Sequence, residues 1–419
     1  MFIFLIGCSP VNNKNVSLLK LDDKTINNTE SLENKTNDQK TKTETEIQKN
    51  KTKFFNVNLN RNIDIIISST DNKQITDQFI NVTELAVYNK NLVDVNFNIA
   101  TYKNTLELDK LLSSYDNLGK VYIGPLNSKH TKLVKKYCQE GAIFFSFSSE
   151  RDLAGDCVFL INFFPKNEIK TLFDFFPNNS KVAILYPENI YGYAINFLVD
   201  QIAFDSDSVI VNRSSYKADM SNLREAIKEL GKYELRKYEL TRQKTILAKK
   251  NDSESKKRLK KLKKFKTTKD LDFTHVLIAD YGIRLLQVVP LLPYYDIDPN
   301  VVKFVGTGVW DDPAFFDEPS LQNAFFAGVE LAKRKDLFEQ YTKIYDAKPL
   351  RISTLPYDLI GLLSYVYGKK QTLDDLYKLL NNKSVRFDGV DGNFYFDDNI
   401  IERDLSILKI SNGEAKKVN

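Results

Sequence analysis

The sequence predicts an α/β protein of two lobes, each a mostly parallel sheet flanked by helices. Three observations carry this. Short apolar runs such as IDIIISS (63–69) and KVAILYP (181–187) suit strands buried on both faces. Each run is followed by a stretch with helical spacing and a short connection, an alternation that argues parallel strands with helices over them. The series then restarts near residue 166, and a body of about 365 residues is enough for two domains.

In order, the first series reads as strand 63–69, helix 75–89, strand VDVNFNIATY (93–102), helix 104–115, strand KVYI, helix HTKLVKKYCQEG (130–141), strand AIFFSFSS and then VFLINFFP. The second reads as helix 167–176, strand 181–187, helix 191–204, strand SVIVNRSSY, strand FTHVLIADY, helix IRLLQVVPLLPYY (283–295) and strand VKFVGTGVW. Helices at 333–347, 353–367 and 372–381 and one hairpin, GVDGNFYFDDNIIERDLSILKISNG (389–413), close the chain. Lobe 1 is expected at 56–165, lobe 2 at 166–326, and 327–419 should return to lobe 1 with a hinge hairpin. Ligands of open α/β sheets bind outside the carboxyl ends of the strands, so facing lobes make a cleft.

The chain opens MFIFLIGCSP. Leu5-Ile6-Gly7-Cys8 has the pattern of a lipobox, with residues 1–8 expected to be a truncated lipoprotein signal, its apolar run short and without a basic start, and Cys8 the lipidated residue. Residues 9–55 are Asn, Lys, Thr, Glu and Asp with few aromatics, too little apolar area to offset ordering, and read as a disordered tether. By the sorting rule that the lipoprotein resemblance implies, Ser9 rather than Asp after the Cys favours the periplasmic face of the outer membrane in a two-membrane cell. Nothing downstream reaches the length of a membrane-spanning helix.

An insertion at about 219–268 is helical and basic. From Gly231 to Asp270 there are 16 Lys and Arg against 5 acidic residues, net +11; the whole chain is +5, so the remainder sums to −6. Leu223, Ile227 and Leu230 share one helical face, and Asn251-Asp252-Ser253 reads as a break between two helices. An arm lying between two strands should be dispensable for the core. Its charge suits an anionic surface; nucleic acid is not an expected partner of an exported lipoprotein.

Cys138 and Cys157 are either a disulfide or two buried thiols. His130 and His275 are the only histidines, and no CxxC or HExxH is present, so no metal site is expected. No Walker sequence, dinucleotide fingerprint or G-x-S-x-G elbow appears, so neither an enzyme nor a cofactor is expected.

The order VYIGPLNS, FFSFSS, VFLINFFP, KVAILYPENIYGYA, HVLIADYG, KFVGTGVWDD and FDGVDGNFYF resembles type I periplasmic binding proteins of the leucine-binding branch. GTGVWDD and the long insertion look closer still to the penicillin-binding-protein activator lipoproteins. The resemblance implies the two-lobe type I periplasmic-binding fold, with the F-x-G-x-x-G pattern of Phe387–Phe396 near the hinge. It places ligand groups at Asn127, Ser128, Ser148 and Ser149 on lobe 1 and at Tyr191, Tyr281 and Trp310 on lobe 2. The same Asn and Ser residues also suit helix caps and turns. Amino-acid binders carry an acidic residue after the GTGVW strand and a small, Gly-rich first loop. This chain has Asp311 and Asp312 further on and Ser68-Ser69-Thr70-Asp71-Asn72-Lys73 in the loop. The implied function is non-enzymatic regulation of peptidoglycan synthesis through a penicillin-binding protein, the alternative being a receptor for an amino acid or related small molecule.

Overall fold

The computed structural model describes residues 56–92 and 94–418; Cys8 and the tether lie outside them. The first lobe begins with β1 (Asn62–Ser68), α1 (Lys73–Asn89), β2 (Asn96–Tyr102), α2 (Thr105–Ser113), β3 (Val121–Ile123), α3 (Ser128–Val134), β4 (Ile143–Ser146) and β5 (Val158–Leu160). The second holds α4 (Pro165–Phe175), β6 (Lys181–Glu188), α5 (Ile190–Phe204), β7 (Val209–Lys217), α6 (Leu223–Leu230), α7 (Tyr233–Ala248), α8 (Ser253–Leu262), β8 (His275–Ile278), α9 (Gly282–Val288), α10 (Leu291–Tyr294), β9 (Lys303–Gly306) and β10 (Phe325–Gly328). Then come α11 (Ala332–Tyr345), α12 (Thr354–Gly368), α13 (Leu373–Leu380), β11 (Phe394–Asp397), β12 (Ile400–Arg403), β13 (Ser406–Ser411) and β14 (Glu414–Lys417).

Two seven-stranded sheets result, in the orders β11-β12-β5-β4-β3-β1-β2 and β14-β13-β10-β9-β8-β6-β7. The neighbours from β12 through β2 and from β10 through β7 pair in parallel. Ile63, Ile65, Ile66 and Ile67 of β1 are all buried, as a strand covered on both faces requires. The lone charge in that run, Asp64, is paired with Lys120 Nζ at 2.5 Å. The first core takes in α12 and α13 through Leu359, Leu363, Leu373 and Leu376. The second sheet has a separate core on each face.

Three expectations need correction. The stretch 389–413 is not one hairpin. β11–β12 joins the first sheet, whereas β13 pairs antiparallel with β10 in the second, so residues 406–417 belong to lobe 2 rather than lobe 1. Phe394, Phe396 and Ile401 enter the first core, but Leu408 and Ile410 enter the second, and the chain crosses between them at Asp404-Leu405. Helix 283–295 is broken into α9 and α10 at Pro290, whose missing N–H ends the hydrogen-bond ladder. β10, only four residues long, is a strand beyond those expected from the sequence.

Of the two states left open for the cysteines, the structure has the disulfide, Cys138–Cys157, with a Cα–Cα distance of 5.1 Å, within the usual range. It ties the turn after α3 to the start of β5.

α6 buries Leu223, Ala226, Ile227 and Leu230 in lobe 2. α7 and α8 follow as a helical hairpin that turns at Asn251-Asp252, where the Asp252 carboxylate accepts from Ser255 N at 2.7 Å. The base of the arm is built into lobe 2. Arg236 is 5% exposed and donates to Gly231 O, Thr267 Oγ1, Thr268 O, Asp296 O and Tyr295 O at 2.7–3.2 Å. It fastens both ends of the insertion to the loop after α10, and burial pulls its pKa below the usual guanidinium value against the opposing charge of Asp296. Arg236→Ala should cost about 2 kcal/mol, because charge-assisted donors are withdrawn from several acceptors at once. Arg242→Ala, on the exposed face, should cost less than about 0.5 kcal/mol. Guanidinium chloride melts that find the two variants equally stable would refute this role.

Candidate functional site

The carboxyl ends of β1, β3 and β4 form the rim of lobe 1, and their polar side chains bond to one another. Ser68 Oγ and Thr70 Oγ1 lie 2.8 Å apart. Asn127 caps α3 by accepting from His130 N at 3.0 Å, and its amide donates to Asp71 Oδ1 at 3.0 Å. Ser128 Oγ and Ser148 Oγ are 2.8 Å apart, and Ser148 Oγ also accepts from Glu150 N. Ser149 is exposed beside them. The four rim residues named from the sequence are therefore brought together, but Asn127, Ser128 and Ser148 already have protein partners.

On lobe 2, Tyr191 at the start of α5 bonds through its hydroxyl to Thr307 Oγ1 at 2.7 Å and packs edge-on against Tyr281, 5.1 Å between ring centroids. Burial pushes the Tyr191 phenol above its ordinary pKa, so it stays a neutral hydroxyl. Tyr281 is half exposed and opens α9. Trp310 does not line the cleft: it has no exposed surface and packs in the second core, its Nε1 donating to Asp280 O at 3.2 Å. The reason is Gly306, where a Cβ would stand 2.1 Å from the indole; the bare backbone lets the ring lie against the strand. Among the described residues no hydrogen bond joins the lobe 1 rim to Tyr191 or Tyr281.

The acids near the cleft are spent as well. Asp280, fully buried, accepts from Arg284 Nε, Tyr281 N and the Tyr216 hydroxyl. Asp312 caps the next turn through Ala314 N. Asp311 turns inward to Arg334, with 2.6 Å between Oδ2 and the guanidinium.

That pair belongs to a cluster that sequence reasoning missed. The chain crosses between lobes at 161–164, 329–331 and 404–405, and charged residues gather at these crossings. From lobe 1, Arg334 binds Asp311 of lobe 2 and Asp391 (3.0 Å). Arg351 donates to Gly308 O at 2.7 Å and lies 3.4 Å from Asp391. Arg403 pairs with Asp358 at 3.0 Å and donates to Asp391 O. Phe163, in the first crossing, has the Arg351 guanidinium 4.2 Å and that of Arg403 5.4 Å from its ring centre. Glu168 of α4 accepts from Gly308 N at 2.8 Å. A small cavity of ≈ 20 Å³ adjoins the cluster, lined by Phe163, Asn167, Glu168, Arg351 and Arg403 among others.

Burial raises Glu168 to about 7, against the pull of Arg351 and the Gly308 amide, and raises Asp358 to about 6 despite Arg403. Burial would raise Asp391 too, but Arg351, Arg334 and Arg403 together hold it below the usual carboxylate value. With Glu168 protonated, three guanidinium groups face three carboxylates. The arrangement neutralises itself and fixes the loop after β9 to lobe 1.

No family model matches the chain, and no curated protein matches it in sequence. Solved structures match it well. A putative branched-chain amino acid ABC transporter protein from Rhodospirillum rubrum aligns with a TM-score of 0.63 at 14% identity, over 86% of this chain and 100% of its own. The substrate-binding protein LivJ of Streptococcus pneumoniae, solved with isoleucine, gives 0.51 at 16% identity over 85% and 97%. The C-domain of LpoA from Haemophilus influenzae, a regulator of PBP1A, gives 0.55 at 13% identity over 85% and 100%. At these identities the likeness establishes the fold, and the chain has that of the type I periplasmic binding proteins.

Proposed function

We propose that this chain is a non-enzymatic regulator of peptidoglycan synthesis that acts by binding a penicillin-binding protein, and that it is held at the envelope by a lipid on Cys8. One observation carries the reading: most of the groups a receptor would turn toward an amino acid, Asn127, Ser128, Ser148 and Tyr191 among them, are occupied within the protein. The hydroxyls of Ser128 and Ser148 pair with each other, and Asp311, the first acid after the GTGVW strand, is locked on Arg334 with both side chains about 1% exposed. A regulator that works through its outer surface has no need of these groups. The likeness to the LpoA domain supports the same class of partner. The Cys138–Cys157 disulfide supports an oxidising compartment outside the cytoplasm.

Two measurements on the same preparation test this. None of the common amino acids at millimolar concentration should raise the melting temperature; a ligand at a hundredfold excess over its Kd would add about 2.7 kcal/mol of stability. A bifunctional penicillin-binding protein should be captured by the chain and polymerise or cross-link glycan faster in its presence. A clear thermal shift with an amino acid, without effect on the synthase, would replace the regulator by a solute receptor.

A further inference from the structure

We propose that the α7–α8 hairpin is a membrane-contacting arm that binds the anionic phospholipid headgroups of a bilayer. The fold itself has no use for the distal part of this insertion. Its attachment is completed at the base by Arg236 and by Leu240, which is 2% exposed. Beyond that, the less exposed positions are Gln243, Lys244 and Leu247 of α7 and Ser255, Leu259 and Leu262 of α8, the spacing of a seam between two helices.

The face away from the seam carries the charge. Lys257, Lys260, Lys261 and Lys264 recur at i, i+3, i+4 and i+7 along α8 and the turn after it, and all four are exposed. Lys249, Lys250, Lys256, Arg258, Lys263 and Lys266 surround them, also exposed. Among the described residues the acids Glu234 and Glu239 pair with Lys237 and Arg242 nearer the base, and none of the distal bases has an ion-pair partner. The remainder of the chain sums to −6, so an anionic surface attracts the arm and repels the body.

Two features favour a bilayer over a nucleic acid. Thirteen of the sixteen bases are Lys, which meets headgroups as a point charge, whereas base edges are read most often by the forked donors of Arg. Leu235, Tyr238 and Ile246 are exposed among the charges of α7, with Phe265 beside α8, and such side chains enter the interfacial layer of a membrane. This assignment is independent of whether the partner in solution is a synthase or a solute.

The test uses the full chain carrying Cys8→Ser, so that no acyl group contributes, in co-sedimentation with vesicles of phosphatidylcholine alone or with roughly one-third phosphatidylglycerol. Binding should require phosphatidylglycerol and fall steeply with added salt. Each Lys near an anionic surface is worth about fivefold, so changing Lys257, Lys260, Lys261 and Lys264 together to Gln should weaken binding by about a hundredfold or more. The same four positions changed to Arg should keep it, and circular dichroism should find both variants folded. Unchanged vesicle binding by the Gln variant would overturn the proposal. So would a chain that ignores the vesicles, or one that leaves them for duplex DNA at the same salt.

Discussion

Arg334→Ala should destabilise the protein by about 3–5 kcal/mol, the cost of removing one partner from a buried ion pair. Arg334 is 1% exposed and serves two carboxylates, Asp311 at 2.6 Å and Asp391 at 3.0 Å, themselves almost without exposure. Without the guanidinium, the nearest cation for both is Arg351, at 3.8 Å from Asp311 and 3.4 Å from Asp391. Asp311 and Asp391 would then depend chiefly on Arg351 in a low-dielectric site, with Arg403 a further neighbour of Asp391 only. Arg334→Lys keeps the charge but not the fork, and an ammonium reaching from one point cannot hold both acids in place, so it should recover only part of the loss. Because Asp311 lies in lobe 2 and Arg334 in lobe 1, the damage should also be local. Amide exchange in the loop 306–312 should quicken more than exchange in β1 or β6. A denaturant midpoint within about 1 kcal/mol of the parent, with unchanged exchange in that loop, would mean the pair does not tie the lobes.

How much of this was readable beforehand depended on what each residue had to satisfy. Ile63–Ile67 and Val182–Leu185 announced buried strands because burial on both faces leaves no polar alternation, and chain order then implied two lobes. The final strands did not announce their sheets. FYFD, IIER and SILKIS all read as short strands, and which sheet edge receives each is settled by packing against distant residues, as Leu408 shows by entering the second core. Asn127 and Ser128 were readable as a polar strand end and equally as a helix cap, and the structure uses them as both a rim and a cap. Trp310 was misplaced because its position depends on the missing side chain at Gly306, four residues away, rather than on its own sequence environment. The charged hinge left one local signal: Asp358 is the only charge in the apolar helix TLPYDLIGLLSYVYG. Arg334 sits in LAKRKD, indistinguishable from a solvated surface run, and its partners lie 23 and 57 residues away.

Glu168 should make the stability of the protein fall as pH rises from about 5 to about 8. Its carboxyl is buried at the first crossing and raised to about 7 from an ordinary 4.5, so over that window the folded state holds a proton that the unfolded chain has released. Below the unfolded value both states are protonated and no penalty exists. As pH climbs, the unfolded state ionises first and gains, until above about 7 the folded state must bury a fourth carboxylate among three guanidinium groups. A shift of this size corresponds to about 3 kcal/mol. Asp358, raised to about 6, acts in the same direction over a narrower range. Glu168→Gln removes the titration while its side-chain carbonyl still accepts from Gly308 N, so the variant should match the parent near pH 5 and exceed it near pH 8. The difference between the two melting curves, followed across that range in the same buffer series, isolates this one group from Asp358 and from the rest of the chain. A constant difference would mean that Glu168 is ionised throughout, and that Arg351 and the Gly308 amide outweigh its burial.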